Sequence, residues 1–148
     1  MHIRPAAPAD IPTLMALEKC AVTAAHWSPE QYQAAFANTE VARIALVIEH
    51  EARVEGFLIA RVVEQEWEIE NLAVAGSARR RGHGTRLLGE LLDMARTRGA
   101  DAIFLEVRAS NLAARRLYEK WAFIESGVRH RYYRNPEEDA ITYRFTFP

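Results

Sequence analysis

Residues 79–85 read Arg-Arg-Arg-Gly-His-Gly-Thr, which combines positive charge with two glycines just ahead of a helical pattern. Glycine lets the backbone turn tightly and lets a ligand approach the main chain without meeting a Cβ atom. The first turn of a helix also leaves N–H groups without partners, and its dipole favours an anion there. The stretch therefore predicts a cradle for a phosphate or pyrophosphate group, with a solvated basic turn as the alternative.

The spacing of the glycines excludes two common phosphate-binding loops. A P-loop ends in Gly-Lys-Ser/Thr, whereas Gly84 is followed by Thr85 and Arg86. A dinucleotide-binding loop has a third glycine at the position that Leu87 occupies. The pattern that fits residues 79–84 is Arg-x-x-Gly-x-Gly.

A strand and a helix must position this loop. Residues 67–74 predict the strand, and the apolar residues after the loop recur with helical spacing at Leu87, Leu88, Leu91, Leu92 and Ala95. Arg96 and Arg98 lie in the last turn of this helix, and Gly99 suits the position just after its end. A second apolar strand at 102–107 follows, and the helical crossover makes it parallel to the first.

The rest of the chain predicts an α+β fold, a mixed α/β sandwich rather than a doubly wound sheet. The order is strand, two helices, three strands, helix, strand, helix and two strands. Trp27, between the first two helices, is predicted to pack into the core, with a place in a substrate wall as the alternative. The remaining predicted strands cover 2–4, 44–48, 57–63, 123–128 and 140–147, the first two helices begin at Asp10 and Ser28, and the last helix covers 111–120.

Length and composition limit the classes of function. The 148 residues fit a single domain spanning 1–148, and 49% hydrophobic with 26% charged residues is ordinary for a globular protein. The formal net charge of −1 does not support direct nucleic-acid binding through bulk charge. No apolar run reaches the roughly 18 residues of a membrane span. One cysteine, Cys20, and an N-terminus without an apolar signal region predict a cytoplasmic protein.

A second block of sequence carries a more specific resemblance. Residues 105–111 read Leu-Glu-Val-Arg-Ala-Ser-Asn, and residues 111–123 fit Asn-x-x-Ala-x-x-Leu-Tyr-x-x-x-Ala-Phe. Together with the loop at 79–84, this resembles the Gcn5-related N-acetyltransferase (GNAT) superfamily over nearly the whole chain, and most closely its bacterial ribosomal-protein-alanine N-acetyltransferases. The resemblance implies the acyl-CoA N-acyltransferase fold. In that fold a central, mostly antiparallel twisted sheet has one parallel strand pair splayed around the cofactor and helices on both faces.

The sequence departs from the superfamily pattern in two places. Ala122 stands where the pattern has glycine, and a left-handed conformation there would cost an alanine on the order of 1 kcal/mol. Ala75 and Gly76 replace a common Asp-Pro after the strand. Neither change removes a group that the chemistry needs.

By resemblance, the cofactor is acetyl-CoA, held between the two diverging parallel strands. The main chain of the first strand would pair with its pantetheine arm, and a backbone N–H there would polarise the thioester carbonyl. These main-chain contacts are expected at Leu72, Ala73 and Val74. The pyrophosphate contacts are expected at Arg79, Arg80, Arg81, Gly82, His83, Gly84 and Thr85, with the His83 side chain exposed rather than catalytic. Asn111, which starts a helix, is expected to reach the cofactor with its amide as well.

Tyr118 is the strongest catalytic candidate, with an amphipathic core tyrosine as the alternative. A phenol with a pKa near 10 faces a thiol with a pKa of about 8.5, so complete proton transfer would be uphill by about 2 kcal/mol. Its useful act is therefore a hydrogen bond that strengthens as the leaving thiolate forms.

Glu106 is the predicted general base, acting directly or through one water. It interrupts an apolar strand, where partial burial is expected to raise the pKa of its carboxyl from about 4.3. One alternative is a structural pairing with Arg108, two residues along the same strand face. Another is a base at Glu68 or Glu70, where other branches of the superfamily place it. The Leu-Glu-Val-Arg context favours Glu106.

The acceptor is a primary amine, and an N-terminal α-amine of a protein suits a single modest base. Its pKa is near 8, against about 10.4 for lysine, so it is about 3 kcal/mol easier to deprotonate at neutral pH. That agrees with the ribosomal-protein-alanine resemblance. A small-molecule amine is the alternative acceptor, and a non-catalytic acyl-CoA-binding module is the alternative function. The basic and aromatic arm at 129–133 either lines a peptide groove or is a surface hairpin.

Overall fold

The computed structural model describes residues 1–21, 25–37, 40–76 and 81–148. The described residues form one sheet of seven strands in the order β1-β2-β3-β4-β5-β7-β6. Its strands are β1 (His2–Pro5), β2 (Ala42–His50), β3 (Arg53–Val63), β4 (Glu66–Val74), β5 (Ala102–Arg108), β6 (Ile124–Tyr133) and β7 (Glu138–Thr146). The helices are α1 (Ile11–Lys19), α2 (Pro29–Phe36), α3 (His83–Thr97) and α4 (Leu112–Lys120), with a short 3₁₀ turn at Pro8–Asp10 before α1. The predicted α+β fold class and element order are confirmed.

The centre of the sheet contains one parallel strand pair that separates part of the way along. β4 pairs with β5 from Glu66↔Ala102 as far as Ile69↔Leu105. Beyond that point β4 continues alongside β3, and β5 continues alongside β7. A bulge accompanies the separation, because the β3 partners of Ile69 and Asn71 are adjacent residues and Glu70 is left as the extra residue of β4. The predicted splayed pair is therefore present, and it opens a cleft in the middle of the sheet.

Helices cover both faces of the sheet. The apolar stripe of α3 packs with α4 against one face, in a core that includes Leu58, Trp67 and Ile103. On the other face, α1 and α2 bury Leu14 and Tyr32 against alternate residues of the same strands. Among the described residues, no helix is long and apolar enough to cross a bilayer.

The residues predicted to begin or end helices have the expected contacts or backbone angles at α2, α3 and α4, but not at the start of α1. Ser28 caps α2 by accepting a hydrogen bond from Gln31 N at 3.2 Å, and Gln31 Oε1 accepts from Ser28 N at 2.8 Å. Gly99 follows α3 with a φ of +79°. Ala122 follows α4 with a φ of +68°, so the alanine does stand in the left-handed region. Asp10 differs, because its carboxylate binds Arg4 and the N–H of Ala7 instead of capping α1.

Candidate active site

Two adjoining cavities lie where β4 and β5 separate. The inner cavity has a volume of about 100 Å³ and is lined by both strands, by the start of α4 and by the end of β6. The outer cavity, of about 390 Å³, adds Trp27, α2, Arg43, Glu68 and Tyr132. Five residues line both cavities: Ala25, Ile69, Glu70, Glu106 and Tyr133. The predicted residues Glu106, Asn111 and Tyr118 all line the inner cavity, so the fold brings them together.

Glu106 lies at the junction of the two cavities. Its side chain is 14% exposed, and its Oε1 lies 3.3 Å from Arg129 Nε. Its Oε2 is buried and has no hydrogen-bond partner among the described residues. A buried carboxylate oxygen without a partner has unmet hydrogen-bonding capacity, which a bound amine or water could satisfy.

The alternative pairing of Glu106 with Arg108 does not occur. Arg108 is buried, and its guanidinium donates to the carbonyl oxygens of Pro136 and Arg134 and forms an ion pair with Glu138 at 3.4 Å. Because the turn between β6 and β7 occupies this guanidinium, Glu106 keeps a free oxygen.

Glu68 and Glu70 join Glu106 along the wall of the outer cavity. Each forms an ion pair, Glu68 with Arg61 at 3.2 Å and Glu70 with Arg43 at 2.8 Å. Burial raises the pKa of Glu68, and the negative charges of Glu70 and Glu106 raise it further against the opposing effect of Arg61. All three carboxylates thus have an arginine partner, and Arg43 lines the same cavity, so Glu106 Oε2 is the oxygen that is left without a partner among the described residues.

Tyr118 is buried, and its ring contacts those of Phe123 and Tyr143 with centroids 5.5 and 6.3 Å away. Burial raises the pKa of its phenol well above the ordinary value, and nearby Tyr133 adds to the effect. The phenol therefore stays protonated at physiological pH, and Tyr118 lines the inner cavity. Complete transfer of its proton to a thiolate is even less favourable than the ordinary phenol pKa implies.

The loop before α3 presents backbone N–H groups that have no hydrogen-bond partner in the described part of the chain. Gly82 precedes the helix with a φ of +78°, and the first helical hydrogen bond runs from Arg86 N to Gly82 O at 3.0 Å. The N–H groups of residues 82–85 therefore lack partners within the helix. A Cβ on Gly82 would have no described atom within 4 Å, so this backbone is open to a ligand. Arg81 is exposed beside it, whereas the predicted contacts Arg79 and Arg80 lie outside the described residues.

His83 is not exposed, and that prediction is wrong. Its side chain is 1% exposed, and its Nε2 lies 2.9 Å from Glu55 Oε1. The physical reason is helical spacing, because His83 precedes Leu87 by four residues and shares the apolar face of α3. Gly84 faces α4 at close range, since a Cβ there would lie 3.1 Å from Leu117 Cδ2.

Two other predicted cofactor positions have the expected surroundings. Asn111 caps α4 by accepting a hydrogen bond from Ala114 N at 3.2 Å, and it lines the inner cavity as well. On β4, residues 72–74 have no ladder partner on β5 in the part of the chain that the structure describes. Their edge thus retains backbone groups for an extended ligand. The assignment of these residues to a cofactor remains a prediction.

The sequence singled out Trp27, Glu68, Glu70, Glu106 and the arm at 129–133, and it missed the other residues that line the outer cavity, namely Ala25, Gln31, Ala34, Arg43 and Ile69. Tyr132 and Tyr133 belong to the end of β6 rather than to a separate arm, with an irregular register after Arg129. Arg108 lies 4.5 Å from the ring centroid of Tyr133, and burial together with the charge of Glu106 raises the pKa of Tyr133 to about 12. Trp27 packs on Tyr32, as predicted, and also lines the outer cavity.

Known proteins with similar sequences and structures are acetyltransferases. The model of the acetyltransferase (GNAT) family matches residues 12–123. A ribosomal protein bS18-alanine N-acetyltransferase of Salmonella typhimurium is 37% identical over 134 residues, which cover 89% of this chain and 88% of the relative. The crystal structure of the ribosomal-protein-S18-alanine N-acetyltransferase from Escherichia coli is 31% identical, with a TM-score of 0.84 and coverage of 98% and 92%. Arabidopsis thaliana NAA60, solved in complex with acetyl-CoA, shares the fold at 19% identity, with a TM-score of 0.84 and coverage of 99% and 98%.

Proposed function

The chain belongs to the acetyltransferase (GNAT) family and is an N-acetyltransferase, and we propose that it transfers the acetyl group of acetyl-CoA to the N-terminal α-amine of a protein. The observation that carries this proposal is the position of Glu106. Its unpartnered Oε2 belongs to a side chain that lines both the cavity between β4 and β5 and the larger cavity beside it. A donor in the first cavity and an amine in the second would meet at this carboxylate.

Residues of the inner cavity, of the end of β4 and of the loop before α3 fit acetyl-CoA, which supplies the acetyl thioester when bound. The unpaired N–H groups of residues 82–85 suit a pyrophosphate, and Arg81 beside them adds positive charge. The open edge of residues 72–74 suits an amide-bearing arm that pairs like an added strand. The side-chain amide of Asn111 would add a polar contact at the start of α4.

Each catalytic residue has a defined task in the transfer. Glu106 accepts the proton of the acceptor ammonium, directly or through one water, so that the amine nitrogen can form its bond to the acetyl carbon. A backbone N–H of residues 72–74 donates to the carbonyl oxygen as negative charge grows there. Tyr118 donates a hydrogen bond to the sulfur as the carbon–sulfur bond breaks. The acceptor nitrogen loses two protons in all, one to Glu106 before it attacks and a second as the amide forms. The leaving thiolate takes up one of them and the other is released to solvent.

An N-terminal α-amine is the acceptor that the outer cavity suits best. The unpartnered Oε2 of Glu106 can accept a hydrogen bond from an ammonium, and an α-ammonium is about 3 kcal/mol easier to deprotonate at neutral pH than that of lysine. The exposed Tyr132 and half-buried Trp27 offer ring surfaces to the following residues of a peptide. The names of the relatives support the finer proposal that the acceptor is a ribosomal protein beginning with alanine, a substrate that belongs to the cytoplasm.

A panel of acceptors tests the proposal. The enzyme is incubated with acetyl-CoA and a peptide that begins with alanine, the same peptide with a blocked N-terminus and an internal lysine, or a small primary amine. We expect mass spectrometry to find acetylation of the free α-amine, with matching release of thiol. Acetylation of the small amine alone would show that the acceptor is a small molecule and not a protein. Binding of acetyl-CoA without thiol release from any mixture would show that the protein is a non-catalytic acyl-CoA-binding module.

A further inference from the structure

Glu18 is a buried carboxylate that the proposed chemistry does not use. It lies near the end of α1 and is 4% exposed. No lysine, arginine or histidine of the described residues forms an ion pair with it. A buried carboxylate is costly unless hydrogen bonds or opposite charges compensate its lost hydration. The hydrogen bonds that Glu18 accepts therefore indicate its role in the protein.

The first bond fixes the wall of the outer cavity. Glu18 Oε1 accepts a hydrogen bond from the backbone N–H of Trp27 at 2.8 Å. The Trp27 ring meets Tyr32 edge-on, with centroids 5.3 Å apart, and lines the outer cavity. Glu18 thus holds the main chain at the residue whose indole faces the proposed acceptor.

The second bond reaches the strand that borders the inner cavity. The same Oε1 atom accepts from Asn71 Nδ2 at 3.1 Å, and Tyr32 Oη lies 3.3 Å from that nitrogen. Asn71 is 3% exposed and follows the bulge at Glu70. Its side chain therefore fixes β4 at the point where the strand leaves β5.

We propose that Glu18 is a positioning residue that sets the distance between the acceptor wall and the cofactor-facing strand. One oxygen atom accepts both bonds, so a shift of Trp27 or Asn71 away from it would remove a hydrogen bond from a buried carboxylate. The inference rests on the proposed function, because it assigns the outer cavity to the acceptor and the edge of β4 to the thioester. Loss of Glu18 should disturb the use of the acceptor more than the binding of acetyl-CoA.

The bond to Trp27 can be tested without any activity. Hydrogen exchange measured by NMR should show the Trp27 amide of the wild-type protein protected, although it lies outside helices and strands. Glu18→Leu should speed this exchange by about tenfold or more, whereas Glu18→Gln should preserve it because an amide oxygen still accepts both bonds. A wild-type Trp27 amide that exchanges like an exposed loop amide overturns the inference even if Glu18→Leu does not fold.

Kinetics then separate positioning from general support of the fold. In Glu18→Leu, the KM for an acceptor peptide should rise by about tenfold, with the dissociation constant of acetyl-CoA changed by less than about twofold. Glu18→Gln should restore the acceptor KM. An equal rise in the acceptor KM and in the dissociation constant of acetyl-CoA would show that Glu18 only stabilises the core. Failure of Glu18→Gln to restore the acceptor KM in a folded protein would show the same.

A matched control removes an exposed carboxylate nearby. Glu30→Leu and Glu30→Gln alter the first turn of α2, where Glu30 lies on the surface, and neither should change the Trp27 amide or the acceptor KM. If the wild-type enzyme acetylates no peptide, the proposed function fails, and the Trp27 amide alone decides whether Glu18 positions this loop.

Discussion

Replacing Tyr118 with phenylalanine removes one hydroxyl and leaves the packing of the ring. Tyr118 is 4% exposed, and none of the hydrogen bonds among the described residues involves its hydroxyl. The folded protein should therefore lose little stability. Because burial raises the pKa of Tyr118, the phenol of the wild-type enzyme stays neutral throughout the physiological range.

We expect Tyr118→Phe to lower kcat. A hydrogen bond to a charged group contributes about 1.5–3 kcal/mol, which corresponds to a fall in kcat of about 10- to 150-fold. The dissociation constant of acetyl-CoA should change little, because the thiolate exists only late in the reaction. Steady-state release of thiol, measured with a saturating acceptor peptide, gives kcat directly.

Tyr143→Phe is the matched control. Tyr143 is also buried, but its hydroxyl donates to Glu119 Oε2 at 2.6 Å and accepts from Arg115 Nε at 3.1 Å. Its loss should lower the free energy of unfolding by about 1–3 kcal/mol while kcat stays near the wild-type value. A folded Tyr118→Phe enzyme with wild-type kcat would refute the role of Tyr118 as the donor to the leaving group.

Three further outcomes follow from individual side chains. Glu106→Gln should lower kcat by about a hundredfold or more without weakening acetyl-CoA binding; wild-type turnover in the folded variant would move the base to Glu68 or Glu70. Ala122→Gly should raise the free energy of unfolding by about 0.5–1 kcal/mol in urea denaturation, because relief of the left-handed alanine exceeds the added chain entropy of glycine; a loss of stability would contradict this. Arg4 holds the pKa of Asp10 below its usual value, so this stabilisation is complete above the unfolded pKa of about 3.9 and is lost as the pH falls through the lower folded pKa. Asp10→Asn should flatten that loss in urea denaturation at low pH, and an unchanged pH dependence would argue against the ion pair.

Much of the fold could be predicted because its signals are local. The stripe from Leu87 to Ala95 has a helical period, and Ser28 with Gln31 forms a capping box within one turn. The parallel pairing of β4 and β5 follows from the intervening helix. These features depend on residues that are near one another in the chain.

What could not be predicted depends on contacts between distant residues. The guanidinium of Arg108 is held by carbonyl oxygens about 26 to 28 positions further along, so the pairing expected from its neighbour Glu106 does not form. The bulge at Glu70 arises from the ladder with β3, and no residue type in β4 marks it. The burial of His83 was recoverable, because extending the helical period back from Leu87 by one turn places it on the apolar face.

We expect acetyl-CoA to bind along the open edge of β4 and on the backbone donors ahead of α3, and the proposed function depends on this binding. Amide NMR of the labelled protein during titration with acetyl-CoA tests this directly, because each N–H reports its own surroundings. We predict saturable binding with the largest shifts at residues 72–74 and 82–85. Absence of binding, or saturable binding that leaves both groups of amides unchanged, would contradict the account.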